Sequence, residues 1–228
     1  MIDHNPGFMT AKQFISDSIV PLKSTDSGAF ALSMMEEYRL SHLPIVDEQE
    51  YIGLISDKDI FAMNNFEESV GHHNLSLSRP FVTETQHVYE IIKTISSYQL
   101  TLLPVLDGNN QYSGSINLNS VIHLFSEIFA IENPGGIIIL EMNEKDYLLT
   151  EIAQIVESND AKILNLYITS IPDKRKMEVT IKVNKIDIGP ILQTFARYNY
   201  TVNASFFEDT YSEGLQERYD SFMNYLNV

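Results

Sequence analysis

The residues best placed to do chemistry are Ser56 and Asp59, in the run Gly53-Leu54-Ile55-Ser56-Asp57-Lys58-Asp59. The apolar residues before Ser56 read as a strand, and the polar turn after it as the start of a helix. A hydroxyl at the strand end and a carboxylate three residues later have two uses. One is structural: Ser56 caps the helix and Asp59 sits at its third position. The other is recognition, because one carboxylate can accept from both hydroxyls of a ribose 2′,3′-diol. Hydrogen bonds to a charged group contribute roughly 1.5–3 kcal/mol each. The amides of a helix start can also meet a phosphate. The recognition use expects Asp59→Ala to leave the unliganded stability nearly unchanged.

Other chemistries find little support. The chain has no cysteine, which removes disulfides, thiolate metal sites and a cysteine nucleophile. It contains neither a Gly-x-x-x-x-Gly-Lys loop nor a Gly-x-Ser-x-Gly elbow. His72 and His73 are adjacent, a spacing that rarely faces one ion, and they read as a solvated loop. Asp57 reads as a surface residue beside Asp59 rather than its catalytic partner. The expectation is a chain without catalytic residues or a required cofactor.

The elements that must hold Ser56 in place occur twice. Tyr38-Arg39-Leu40-Ser41-His42-Leu43-Pro44-Ile45-Val46-Asp47 returns 60 residues later as Tyr98-Gln99-Leu100-Thr101-Leu102-Leu103-Pro104-Val105-Leu106-Asp107. A helical pattern precedes each copy: Phe30, Ala31, Met34, Met35 and Tyr38 in the first, Ile91, Ile92, Ile95 and Tyr98 in the second. After each Asp come a turn, a second strand with Gly53 or Gly114, and a short apolar helix. Each unit therefore reads helix, strand, turn, strand, helix. About 60 residues bury too little surface to stand alone, so two such units are expected to pair through a pseudo-two-fold.

With Leu43-Pro44-Ile45-Val46-Asp47 followed by Gly53-Leu54-Ile55-Ser56 and Asp59, the chain resembles the CBS domain family over roughly residues 8–130. The resemblance implies CBS repeats at 8–70 and 71–132. It implies an adenosine-type ligand (AMP, ADP, ATP or S-adenosylmethionine) in a cleft between them, contacted by Ser56 and Asp59. Carried over from the family, the same cleft would include Ser41, His42, Leu100 and Thr101, with adenine near Leu77, Pro80 and Phe81. A protonated His42 could approach a phosphate. The second copy departs from the pattern, with Asn117 in place of Ser or Thr and Ser120 in place of Asp. Without a carboxylate it lacks a charge-assisted pair, so the expectation is one competent cleft and one weak or vacant one. Lys58 and Arg79 are the nearest basic residues in sequence, which leans away from a triphosphate.

Asn133-Pro134-Gly135-Gly136 punctuates the chain. Beyond it, Ile137–Met142 reads as a strand and Leu148, Leu149, Ile152, Ile155 and Val156 as a helix. Ile163–Ile171 and Met177–Val183 read as a hairpin around Pro172–Lys176. Ile188, Ile191, Leu192, Phe195 and Ala196 form a second helical face, and Tyr200–Phe206 a last strand. The order βαββαβ is ferredoxin-like. Following a CBS pair, residues 136–207 resemble an ACT domain, and the whole layout is similar to acetoin-utilisation-type CBS–ACT proteins. ACT domains often bind amino acids at the first strand-to-helix loop. Here that loop, Met142–Asp146, has no glycine, so dimerisation is the preferred expectation, and amino-acid sensing for a partner enzyme or regulator the alternative. Residues 208–228 form an acidic tail in which Leu215, Tyr219, Phe222, Met223 and Leu226 share helical spacing. Across all 228 residues the net charge is −16, which disfavours nucleic acid and anionic membranes. No apolar run reaches the ~20 residues of a membrane span, and the N-terminus lacks a signal-peptide pattern. A cytoplasmic homodimer, either a sensor or a ligand-free scaffold, is the expectation.

Overall fold

The computed structural model describes residues 9–16, 18–171 and 176–207. Packing divides the chain into two compact units, residues 1–124 and 125–228. The tail from 208 onward, with its expected helix, lies outside the described residues, as do residues 172–175 of the expected turn.

The first unit is built twice from the same parts. Helix α1 (Gly28–Tyr38) precedes the hairpin β1 (His42–Asp47) and β2 (Glu50–Ser56), then α2 (Asp57–Phe61). Strand β3 (Val82–Thr83), α3 (Val88–Tyr98), β4 (Leu102–Leu106), β5 (Tyr112–Asn117) and α4 (Leu118–Ile128) repeat the plan. The correspondence extends to backbone detail. Arg39 and Gln99 end α1 and α3 in the left-handed conformation, and the next amides, Leu40 and Leu100, close onto Met35 and Ile95 at 2.9 and 3.0 Å. Each hairpin carries a bulge at the matching place, Ile45/Val46 and Val105/Leu106. Leu22 bridges Ile45 in parallel, as Val82 pairs with Val105.

The two copies also exchange their leading segments. Residues 9–16 lie on the second copy: Ala11 N–H donates to Gln86 O at 2.8 Å and Ser16 N–H to Ser115 O at 2.9 Å. The matching residues 66–71 lie on the first copy, where Gly28 N–H donates to Glu68 O at 3.1 Å and Gly71 N–H to Ser24 O at 2.9 Å. Each copy thus completes the other's backbone pairing, which satisfies polar groups that a lone copy would bury unpaired. Apolar residues of the hairpins fill the interior: Leu43, Leu54, Ile55, Leu102, Leu103 and Ile116 are all fully buried.

The second unit is an antiparallel sheet ordered β7-β8-β6-β9, from β6 (Ile137–Asn143), β7 (Ile163–Ile171), β8 (Lys176–Val183) and β9 (Thr201–Phe206). Helices α5 (Leu149–Glu157) and α6 (Gly189–Arg197) complete the ferredoxin-like βαββαβ order. Its core joins Ile138 and Leu140 of β6 to Ile152, Ile155, Val156, Ile191 and Phe195 of the helices. Ile128–Ile131 also belong here: Asn165 Nδ2 donates to Ile128 O at 2.9 Å and the Phe129 ring meets Tyr167 edge-on at 5.5 Å. At Gly135, φ is +154° and a Cβ would come within 1.9 Å of Val183 O, so only glycine fits.

Candidate functional site

The strand register sets Ser56 opposite His42. Ser56 is buried, 5% exposed, and its Oγ accepts from Asp59 N–H at 3.1 Å. In return Asp59 Oδ2 accepts from Ser56 N–H at 2.9 Å and from Ser56 Oγ at 2.7 Å. A full capping box therefore starts α2. The other carboxylate oxygen, Oδ1, accepts from Ser76 N–H at 3.0 Å. A carboxylate offers about four acceptor positions, so three are already engaged by protein. Burial pushes the Asp59 carboxyl up, yet the hydrogen bonds from Ser56 and Ser76 outweigh it and hold the pKa below its ordinary value.

The two copies meet beside this cap. Ser41 N–H donates to Thr101 Oγ1 at 3.0 Å, and the Thr101 hydroxyl lies 3.0 Å from His42 Nδ1. Thr101 N–H also points to His42 Nδ1, at 3.3 Å. With Oγ1 accepting from Ser41, its own proton goes to the imidazole, so Nδ1 is an acceptor and the ring proton sits on Nε2. Burial lowers the His42 pKa, opposed by Asp57 and Asp59 and aided by Lys58. His42 is thus a neutral cross-repeat acceptor, not the cation the phosphate contact required. Ser41 contributes through its backbone as well, its carbonyl accepting from Asp57 N–H at 3.0 Å.

Ser41, His42, Ser56, Asp59 and Thr101 are therefore brought together, and the remaining candidates are not. Leu100 is a core residue, 2% exposed. Pro80 is buried, and its carbonyl accepts from Tyr51 Oη at 2.9 Å. Phe81 meets the Tyr51 ring edge-on at 6.4 Å. These contacts commit Pro80 and Phe81 to Tyr51, five residues before Ser56 on β2, rather than to the groups around Asp59. Leu77 is half-buried in the same linker. Arg79 is also taken, its guanidinium 5.2 Å from the Tyr51 ring centre and hydrogen-bonded to Tyr51 O. The sequence reading missed Ser76, whose contribution is a backbone amide and carries no side-chain signal.

The second copy differs at the cap. Asn117 Oδ1 accepts from Ser120 N–H at 2.8 Å and from Ser120 Oγ at 3.0 Å. This caps α4 one way, with no carboxylate returned to the strand end. A cavity of about 250 Å³ opens here, lined by residues of both copies, among them Ser18, Ile19, Arg39, Thr101 and Asn117. The cleft expected to be weak has the space, and the cleft with the charge has its carboxylate occupied.

In the second unit a cavity of about 330 Å³ lies at the end of β6. Three carboxylates line it, each with a protein partner: Glu141 pairs with Lys176, Asp146 accepts from Asn143 Nδ2 at 2.6 Å, and Glu151 accepts from Tyr200 Oη at 2.6 Å. The loop expected at Met142–Asp146 contains a short 3₁₀ turn, Glu144–Asp146. The adjacent histidines part company: His72 Nδ1 bonds Ser69 Oγ at 2.7 Å, and His73 Nε2 lies 3.3 Å from Glu68 Oε2. His72 ends a 3₁₀ turn, Val70–His72, rather than lying in a loop. Among the described residues no cluster of three or more His, Cys, Asp or Glu is placed to hold a metal. No helix there is long and apolar enough to cross a membrane.

Residues 11–63 and 75–127 each match the family model of the CBS domain. Among curated proteins, the chain is similar to an inosine-5′-monophosphate dehydrogenase of Methanocaldococcus jannaschii, 24% identical over 115 residues, which is 49% of this chain and 23% of that enzyme. The chain spans about a quarter of the length of the curated relatives it matches. Among solved structures it is similar to a CBS domain pair/ACT domain protein from Thermotoga maritima, with 19% identity and a TM-score of 0.48, covering 52% of this chain and 98% of that one. It is also similar to CBSX2 in complex with AMP, with 20% identity and a TM-score of 0.46, covering 54% of this chain and 98% of that one. The first unit of this chain, duplicated down to its bulges and the left-handed ends of α1 and α3, is accordingly a tandem pair of CBS domains.

Proposed function

We propose that the protein is a non-catalytic cytoplasmic sensor, with CBS repeats at 8–70 and 71–132, that binds an adenosine-type nucleotide between them, the ribose held by Asp59. The observation that carries this reading is the meeting of Ser56 and Asp59 with Ser41, His42 and Thr101 where the two copies join. A ligand seated there contacts both copies, so its affinity depends on their arrangement, which is what a sensor needs. Lys58 is the nearest basic residue in sequence, and Arg79 is committed to Tyr51. That favours adenosine, AMP or S-adenosylmethionine over ATP. The second cleft, at Asn117 and Ser120, binds more weakly because it offers no carboxylate. Leu77 remains the linker residue for an adenine contact. No cofactor is needed, and the ligand itself is regulatory.

Residues 136–207 are proposed to be an ACT-like domain that makes a homodimer, through which the occupied state reaches a partner enzyme or regulator. A second reading has one observation in its favour, the cavity of about 330 Å³ at the end of β6: there the ACT-like domain senses an amino acid. A thermal-shift panel separates the two. Ligand at 100 times its Kd adds about 2.7 kcal/mol, a rise of roughly 5–10 °C for a chain of this size. AMP or S-adenosylmethionine should raise the midpoint. A rise with amino acids alone would move the function to the second unit, and no rise with any of them would leave a dimerisation scaffold.

A further inference from the structure

The segment that leads into β3 of the second repeat is fastened unequally at its two ends. At one end Arg79, in the left-handed conformation at φ +52°, is held over Tyr51, and the Pro80 carbonyl accepts from Tyr51 Oη. At the other end Leu75 occupies the recess above Gly53, where a Cβ would lie only 2.4 Å from Leu75 Cδ1. The adjoining Ser76 reaches Asp59 through a single backbone hydrogen bond. Ser76 is exposed, so water can take the place of that bond once it is released.

A diol that donates one hydrogen bond from each hydroxyl needs two acceptor positions on the carboxylate, and one is left. The two Ser56 contacts belong to the cap of α2, whose loss costs about 0.5–2 kcal/mol. The Ser76 contact belongs to no helix. In the leading segment of the first repeat, the Ser16 amide bonds Ser115 O of the strand. Close by, Ser18 and Ile19 border the cavity beside Asn117.

We propose that Leu75–Arg79 is a strap that occupies Asp59 in place of the ligand, and that nucleotide binding releases its Ser76 end. The inference rests on the reading that Asp59 grips the ribose. Affinity is set partly by how firmly the strap is seated, so the linker is a point at which it can be tuned.

Calorimetric titration of the whole chain with AMP tests this in four proteins: the wild type, Asp59→Asn, Ser76→Pro and Leu75→Ala. Proline has no N–H to give Asp59, and Leu75→Ala loosens the anchor. Each strap variant should bind AMP about tenfold more tightly, the yield of removing one competing hydrogen bond to a charge. Unchanged or weaker binding in both, with wild-type binding lost in Asp59→Asn, overturns the strap and leaves the nucleotide reading intact. Equal binding by wild type and Asp59→Asn overturns both. Amide exchange at Ser76 in the wild type needs no variant to fold. AMP should accelerate it, and exchange unchanged or slowed by AMP sinks the proposal.

Discussion

The two CBS repeats share a skeleton and differ at its working end. Helix ends, bulges and buried leucines correspond at an offset of 60 residues and the leading segments at 59, yet the cap that follows each hairpin does not. In the first repeat a serine and an aspartate bond each other reciprocally; in the second an asparagine accepts from a serine, and nothing returns. The lesson is that duplication holds what the fold needs, a buried hairpin and a capped helix, and leaves the chemistry of the cap free to diverge. One repeat keeps a carboxylate whose acceptor positions are mostly engaged, and the other borders an open cavity without a carboxylate.

The largest test of that comparison concerns the shared part. Leu43 and Leu103 occupy matching, fully buried positions. Leu43→Ala and Leu103→Ala should each cost about 2–5 kcal/mol in urea unfolding. A large cost at one and a negligible one at the other would mean that the repeats are not equivalent supports.

The next test concerns the caps. Asp59→Ala leaves Ser56 N–H and Ser76 N–H without their acceptor, a loss of about 1–2 kcal/mol with no ligand present. This corrects the expectation that the substitution is silent without ligand, because the same carboxylate both caps and binds. Ser120→Ala removes only a donor hydroxyl and should cost under about 1 kcal/mol. Equal losses at the two positions would erase the asymmetry. The Asp59 carboxyl is held below its ordinary value in the fold, so its contribution is complete above pH 3.8 and is lost as pH falls through the lowered value. Asp59→Ala should flatten acid unfolding in that window.

The smallest effect lies at the seam between the repeats. The His42 pKa is lowered in the folded state, so the unfolded chain binds its proton first. The stability that the neutral ring supplies is complete above pH 6.5 and declines as pH falls toward the lowered value. His42→Asn places an acceptor that does not titrate near Nδ1. The difference between melting midpoints at pH 7.5 and 5 should shrink in the variant, and an unchanged difference would remove His42 from the seam.

Much of this was legible in sequence. The 60-residue offset located both hairpins, and strict alternation from Met177 to Val183 located β8. Ser56 and Asp59 were found because they are side chains at a fixed spacing. The contacts that escaped are made by backbone: Ser76 on Asp59, Ala11 on Gln86, Gly28 on Glu68. Any residue type can make them, so the letters carry no mark of them. Leu100 was misplaced for a related reason. Its neighbour Thr101 faces the seam while Leu100 itself is buried in the core, unlike its counterpart Leu40, which is half-buried. Pro134-Gly135-Gly136 marks a break in the letters, whereas packing divides the chain at Leu124 and Phe125. Phe129, an apolar residue at helical spacing, gave no hint that its ring would meet Tyr167 of the second unit.

Residue-resolved amide shifts on saturation with AMP bear most directly on the account, because they report which cap the nucleotide meets. The largest changes should fall on Ser56, Asp59, Ser76 and Thr101, with Asn117 and Ser120 changing little. Changes concentrated on Asn117, Ser120 and Arg39, with Asp59 and Ser76 unmoved, would place the ligand in the cleft without a carboxylate and contradict the claim that Asp59 holds it.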